Sequence, residues 1–153
     1  MIFVTLGSQK FQFDRLLQAV DKLQTDDEIF AQIGYSEYKP KHYKYKKFLD
    51  RDEFAKAMDL SDIVITHGGT GAIISAVKKG KKVIAVPRLK KYGEHVDDHQ
   101  IQLVNQFSEL NLIYPCVDCD IQKALDAVQK TTYASYQSNT ARIIKSLEEF
   151  INE

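Results

Sequence analysis

The residue types best placed for chemistry lie in two glycine-bearing turns. Thr66-His67-Gly68-Gly69-Thr70-Gly71 follows the apolar run Ile63-Val64-Ile65 and precedes Ala72-Ile73-Ile74-Ser75-Ala76-Val77. A strand that enters glycines and then a helix leaves backbone N–H groups bare at the helix start, with the positive end of the helix dipole behind them. Such a junction is a site for phosphate. The chain opens on a second one, where Ile2-Phe3-Val4-Thr5-Leu6 runs into Gly7-Ser8-Gln9. Glycine lets the backbone approach a diphosphate closely, and the Thr70 hydroxyl adds one more hydrogen bond. Taken singly, either turn is equally well read as a tight connection that packs a helix onto a sheet. The spacing matches neither the dinucleotide fingerprint nor the P-loop. Side by side on one sheet edge, the two turns point to a nucleotide or a nucleotide sugar.

A third group is the polar run Gly93-Glu94-His95-Val96-Asp97-Asp98-His99-Gln100, which follows a strand ending at Pro87. Its density of hydrogen-bonding side chains suits a polyhydroxylated ligand, although one of Asp97 and Asp98 is needed simply to cap a helix. His67 and His95 are candidates for a general base. A histidine beside a turn serves as readily as a hydrogen-bonding structural residue. The lysines and tyrosines between Lys39 and Lys47 read as the solvated face of an edge strand guarded against aggregation. Contact with an acidic lipid or an acceptor pyrophosphate is the other reading of that segment. Cys116 and Cys119 have redox-motif spacing, but no second pair completes a zinc site and no thioredoxin-like context surrounds them. They are expected to be reduced thiols without a metal.

The elements that must position these groups alternate along the chain. Strands are expected at Ile2 to Leu6, Glu28 to Ile33, His42 to Phe48, Asp62 to Thr66, Lys82 to Val86 and Leu112 to Tyr114. A helix carrying Phe13, Leu16, Leu17, Val20 and Leu23 on one face follows the first strand. Asp50, with Glu53 at the capping-box position, starts another, with Phe54, Ala57 and Met58 on its buried side. Gly69 to Lys79 forms a helix that ends at Gly80. Val96 to Leu110 forms the next, with Ile101, Val104 and Phe107 inward. Two helices close the chain, the last with Ile143, Ile144, Leu147, Phe150 and Ile151 on one stripe. This order predicts an α/β fold, a Rossmann-like parallel sheet with helices on both faces.

Composition limits the rest. The chain has 153 residues, 44% of them hydrophobic and 27% charged, and is expected to form a single domain over 1–153. Lys+Arg and Asp+Glu both total 21, giving zero formal charge, which argues against nucleic acid as a partner. Zero net charge also leaves room for self-association. No signal peptide is expected from the first residues, and no apolar run in the sequence is long enough for a membrane helix. A cytoplasmic protein is expected.

At the residues already quoted the chain resembles a known family. Asp62-Ile63-Val64-Ile65-Thr66-His67-Gly68-Gly69-Thr70-Gly71, then Gly80-Lys81-Lys82-Val83-Ile84-Ala85-Val86-Pro87, then Asp97-Asp98-His99-Gln100 resemble the C-terminal, donor-binding domain of family 28 glycosyltransferases of the GT-B type. Val4-Thr5-Leu6-Gly7-Ser8-Gln9 fits the first strand and loop of the same domain. In motif terms the resemblance runs over about residues 1 to 115. It is nearest to small stand-alone versions of the domain: the catalytic subunit of the two-part N-acetylglucosaminyltransferase of N-linked glycosylation and bacterial counterparts in capsule and exopolysaccharide synthesis. The run from Val86 to Gln100 is similar to the bacterial group in particular.

The resemblance implies a donor-binding catalytic subunit of an inverting, UDP-sugar-dependent hexosyltransferase. Its expected reaction is galactosyl transfer to a lipid-linked saccharide. Gly7, Ser8 and Gln9, with Gly68, Gly69 and Thr70, would hold the uridine diphosphate. His99 and Gln100 would read the sugar hydroxyls. Ser75 stands where many members carry a ribose-binding glutamate, and Glu94 is the substitute considered. No cofactor is implied, since the UDP-sugar is a substrate. The acceptor half, with the general base, would belong to a separate membrane-anchored subunit that recruits the protein to the inner face of the plasma membrane. The alternative is a non-catalytic nucleotide-sugar-binding or scaffolding subunit. A flavodoxin-like or receiver domain fits less well, because Gly7-Ser8-Gln9 offers no acidic cluster after the first strand.

Overall fold

The computed structural model describes residues 1–7 and 9–135. Ser8 and the expected final helix lie outside the described residues. The elements are β1 (Ile2–Thr5), α1 (Asp14–Asp21), β2 (Ile29–Gln32), β3 (Lys44–Lys46), α2 (Arg51–Leu60), β4 (Ile63–His67), α3 (Thr70–Lys78), β5 (Lys82–Val86), a 3-10 turn (Lys90–Tyr92), α4 (His99–Glu109), β6 (Tyr114–Pro115) and α5 (Ile121–Lys130). The strands form one six-stranded sheet in the order β3-β2-β1-β4-β5-β6. Every pairing is parallel. The expected α/β, Rossmann-like architecture is therefore present.

Strand alternation divides the core into two layers. Ile2, Val4, Ile63, Ile65, Ile84 and Val86 face α1 and α5, where Leu16, Leu17, Val20, Leu125 and Val128 are buried against them. Phe3, Val64, Val83 and Ala85 face the other way, onto Met58 of α2, Ile73 and Val77 of α3, and Val104 and Phe107 of α4. A strand buried on both faces has no polar alternation, which is why these segments read as continuous apolar runs. Each fully buried Leu or Phe contributes about 2 kcal/mol of transfer free energy.

Helix ends follow their expected chemistry in two places. The Glu53 N–H donates to Asp50 Oδ1 at 2.8 Å and the Asp50 N–H donates to Glu53 Oε1 at 3.2 Å, completing the capping box of α2. Gly80, at φ +72°, ends α3 with its N–H on the Val77 carbonyl, followed by Lys81 N–H on Ala76. The left-handed backbone at that position favours glycine.

Three expectations are corrected. Helix α4 begins at His99 rather than Val96, because the side chain of Asp97 takes the His99 N–H and that of Asp98 takes the Lys90 N–H, holding 93–98 as a loop. Its buried stripe is Gln100, Leu103, Val104 and Phe107, with Ile101 only half-buried. The last strand is Tyr114–Pro115, starting two residues later than the expected Leu112, because Leu112 and Ile113 fill the core before pairing begins. The link from β2 to β3 contains no helix, as expected, and its loop packs on α1, with the Tyr43 hydroxyl donating to the Leu17 carbonyl at 3.0 Å and the Tyr38 hydroxyl bonded to Asp21. Among the described residues, no helix is long and apolar enough to cross a membrane.

Candidate functional site

The strand order reverses direction between β1 and β4, and in open parallel sheets that switch point opens a crevice at the carboxyl ends of the strands. Register brings the two glycine turns there together. Thr5 pairs with Thr66, so Gly7 and Gly68 leave the sheet at the same level on adjacent strands. The Thr5 hydroxyl donates to Gln32 Oε1 at 3.0 Å and accepts the Gly7 N–H at 3.4 Å, tying the first turn to β2.

His67 sits between the turns. It is the last residue of β4 and 6% exposed. A Cβ placed on Gly7 would lie 2.4 Å from its Nε2, and one placed on Gly69 would lie 2.3 Å from its Cε1. Both glycines are therefore required by one imidazole ring, and Gly7 has φ +72° besides. Gly68 is required by a different neighbour, since its Cβ would lie 2.9 Å from Cβ of Gln100. Burial, reinforced by the positive Arg88 and by His95, pushes the His67 imidazole down to about 3. It is neutral at physiological pH.

Gln100 braces this arrangement from α4. Its Oε1 accepts the Gly68 N–H at 3.1 Å and the Arg88 N–H at 2.9 Å, while Nε2 lies 3.3 Å from His67 Nδ1. Arg88 itself is 1% exposed. Its guanidinium donates to the carbonyls of Leu6 (2.6 Å), Phe11 (3.1 Å) and Glu94 (3.2 Å), and stacks 4.9 Å from the Phe13 ring centroid. Burial lowers its pKa to about 10, with Glu94 opposing the shift, so it stays charged. The residue ties the loop after β1 to the loop after β5. Nothing in its sequence context marks it, because a surface arginine after a Pro looks the same.

Helix α3 presents its start to the crevice without a side-chain cap. Its N-cap is Gly69, and the first intrahelical bond comes from Ile73 to the Gly69 carbonyl. The N–H groups of the first turn are the unpaired donors expected there. Thr70 is half-buried at this start, and Gln9 is half-buried in the Gly7 turn.

The remaining expected site residues divide. Glu94 does not substitute for a ribose ligand: its carboxylate is 3% exposed, accepts from Arg15 Nε at 3.0 Å and Nη2 at 2.9 Å, and takes the Leu89 N–H at 3.0 Å. The carboxylate is buried and Arg15 half-buried over it, so turning Glu94 outward would leave Arg15 without its partner as well. Ser75 donates its hydroxyl to the Gly71 carbonyl of its own helix at 2.9 Å. Gln100 turns its carboxamide inward, away from the role of sugar reader, because three buried groups need it. His67 lies buried between the turns and is too weakly basic to suit a general base, whose pKa belongs near the working pH. His95 is partly accessible, 3.1 Å from Asp97 Oδ1 and 6.0 Å from the Phe11 ring centroid. His99 is exposed at the start of α4, 3.5 Å from Asp97 Oδ2. The His99 N–H and the two imidazoles hold the Asp97 carboxyl below its ordinary range. Cys116 and Cys119 are free thiols, and burial pushes Cys116 up to about 12, far from a reactive thiolate.

The chain has known relatives. The chain is 27% identical over 128 residues to the UDP-N-acetylglucosamine transferase subunit ALG13 of Homo sapiens, which covers 75% of this chain and 11% of that protein. The Saccharomyces cerevisiae subunit of the same name is 34% identical over 58 residues, covering 38% of this chain and 27% of that one. The chain thus spans a small part of these relatives. Among solved structures, the NMR solution structure of ALG13 superposes with a TM-score of 0.62 at 18% identity, covering 94% of each chain. The calicheamicin glycosyltransferase CalG4 superposes at 0.60 and 18% identity, covering 84% of this chain and 36% of that one. The family model for the glycosyltransferase family 28 C-terminal domain matches residues 1–153, the whole sequence, and the protein belongs to that family.

Proposed function

We propose that this protein is the donor-binding subunit of an inverting glycosyltransferase that uses a UDP-sugar. One observation carries the reading: two glycine turns meet at the β1–β4 switch point, beside an uncapped helix start. In that reading Gly7, Gln9 and the adjoining Ser8 flank one side of the diphosphate, and Gly68, Gly69 and Thr70 the other. The start of α3 offers N–H groups and a positive dipole end to the diphosphate as the sugar–phosphate bond breaks. Charge grows on the leaving group in that step, so the interaction stabilises the transition state more than the ground state.

The reaction has an acceptor hydroxyl attack the anomeric carbon while uridine diphosphate departs, with a base taking the hydroxyl proton. The base and the acceptor site belong, in this proposal, to a separate membrane-anchored subunit. His99, exposed beside the crevice, is the residue proposed to meet the sugar. Galactose is the proposed sugar, with a lipid-linked saccharide of capsule or exopolysaccharide synthesis as acceptor. Both assignments follow from the similarity of the Val86 to Gln100 run to the bacterial group. N-acetylglucosamine, named for the ALG13 relatives, is the competing sugar.

Calorimetric titration of the full chain with UDP, UDP-galactose and UDP-N-acetylglucosamine tests the donor reading. Saturable binding of UDP, with one of the two sugars bound more tightly, is expected. No heat with any uridine nucleotide overturns it. His99→Ala in the reconstituted pair separates an enzyme subunit, which loses turnover, from a scaffold, which does not.

A further inference from the structure

The orientation of the Gln100 carboxamide is settled by its neighbours. Two backbone N–H groups, from Gly68 and Arg88, converge on one of its terminal atoms at 3.1 and 2.9 Å. Donors converge on an acceptor, so that atom is Oε1 and the other is the NH2 nitrogen. The nitrogen lies 3.3 Å from His67 Nδ1. An NH2 group can only donate, so Nδ1 must be the bare, accepting nitrogen of a neutral imidazole. The ring proton is then on Nε2. That nitrogen makes no hydrogen bond among the described residues, and it lies on the ring edge wedged between Gly7 and Gly69.

We infer that Gln100 is a positioning residue that fixes His67 in its Nε2–H form, so that the floor between the two glycine turns offers an N–H to an anion. The opposite tautomer would put a lone pair there and repel a diphosphate. The inference rests on the donor-site reading for the identity of the anion, but the tautomer itself does not depend on it. Arg88 and His95 are the charged or titratable groups whose fields reach the ring. Both oppose a second proton, which keeps the imidazole a neutral donor.

Long-range 15N–1H NMR of the histidine rings in the full, ligand-free chain tests the assignment. His67 is expected as a locked Nε2–H form, without tautomer averaging. Gln100→Glu keeps an acceptor for the two backbone N–H groups but faces Nδ1 with an oxygen that can only accept. It is expected to move the proton to Nδ1 or to add a second one. Gln100→Leu, which removes the orienting amide, is expected to release the ring to averaging, and it serves if the glutamate variant does not fold. A wild-type ring protonated on Nδ1 or averaged between forms overturns the inference, as does an unchanged ring in the variants. UDP titration of the same proteins is expected to show affinity about tenfold weaker in the variants, a difference of about 1.4 kcal/mol. If wild type binds no UDP while His67 is locked as described, the donor reading fails and the tautomer assignment stands. If UDP binds and the tautomer differs, the reverse holds.

Discussion

At the scale of single residues, His67 concentrates the constraints of the site. Its folded pKa lies near 3 and its unfolded value near 6.5, both referring to loss of the positive form. Between those values the unfolded chain binds the proton and the native one does not, so stability rises with pH through this window and falls on acidification. Urea denaturation at pH 7.5, 6.0 and 5.0 should show a loss approaching about 1.4 kcal/mol per pH unit below 6.5. His67→Gln should flatten that slope. The glycines give a matched set of variants. Gly69→Ala drives a methyl to within 2.3 Å of the imidazole, and Gly7→Ala adds a left-handed backbone to a 2.4 Å clash. Both should destabilise by about 1–3 kcal/mol and abolish nucleotide binding, with Gly7→Ala the worse. Gly71→Ala meets nothing within 4 Å inside α3 and should stabilise by about 0.5–1 kcal/mol. Thermal melts with and without UDP check all three.

At the scale of elements, two interactions with different reach can be separated. The Asp50–Glu53 box stabilises only the start of α2, at an exposed helix end. Asp50→Ala should cost about 1 kcal/mol and leave UDP affinity unchanged. Arg15 joins α1 to the loop after β5, through Glu94 and through the Pro87 carbonyl at 3.2 Å. Arg15→Leu leaves a buried carboxylate without its cation and should cost about 3 kcal/mol. It should also loosen the 88–98 loop, which hydrogen exchange of the Leu89 amide, held by Glu94, would report. The periodicity of α1, the capping box of α2 and the glycine end of α3 were all legible in the chain, because each is a local pattern. The start of α4 was not. Asp97 and Asp98 are both competent caps, and the choice between them was made by the Lys90 and His99 amides that the folded loop brings near.

At the scale of the whole molecule, the sheet order decides what the crevice is. Hydrogen exchange with and without UDP should show protection concentrated at Gly7, Gly68 to Ala72 and the 88–100 segment, and little change at β3 or α5. Uniform protection, or none near the β1–β4 switch point, would speak against the crevice as the ligand site. Ligand linkage gives the companion measurement: UDP at 100 times its dissociation constant should stabilise the fold by about 2.7 kcal/mol. The basic segment behaves as expected of an edge: Lys44 and Lys46 flank the half-buried Tyr45 on β3, the outermost strand. Lys46 is paired with Glu53 at 2.6 Å.

The parallel α/β architecture and both glycine turns could be read from the sequence alone, because strand alternation, helical spacing and glycine next to a helix start are properties of neighbours in the chain. The meeting of those turns on one imidazole could not, since it depends on Thr5 pairing with Thr66 across the sheet. The same holds for the inward side chains. Glu94 and Gln100 have the composition of ligand-reading residues, and only the folded structure shows Arg15 closing on one and two buried amides closing on the other. A buried polar group must find its partners, and when those partners are distant in sequence, no local pattern announces which polar residues are left to face a ligand.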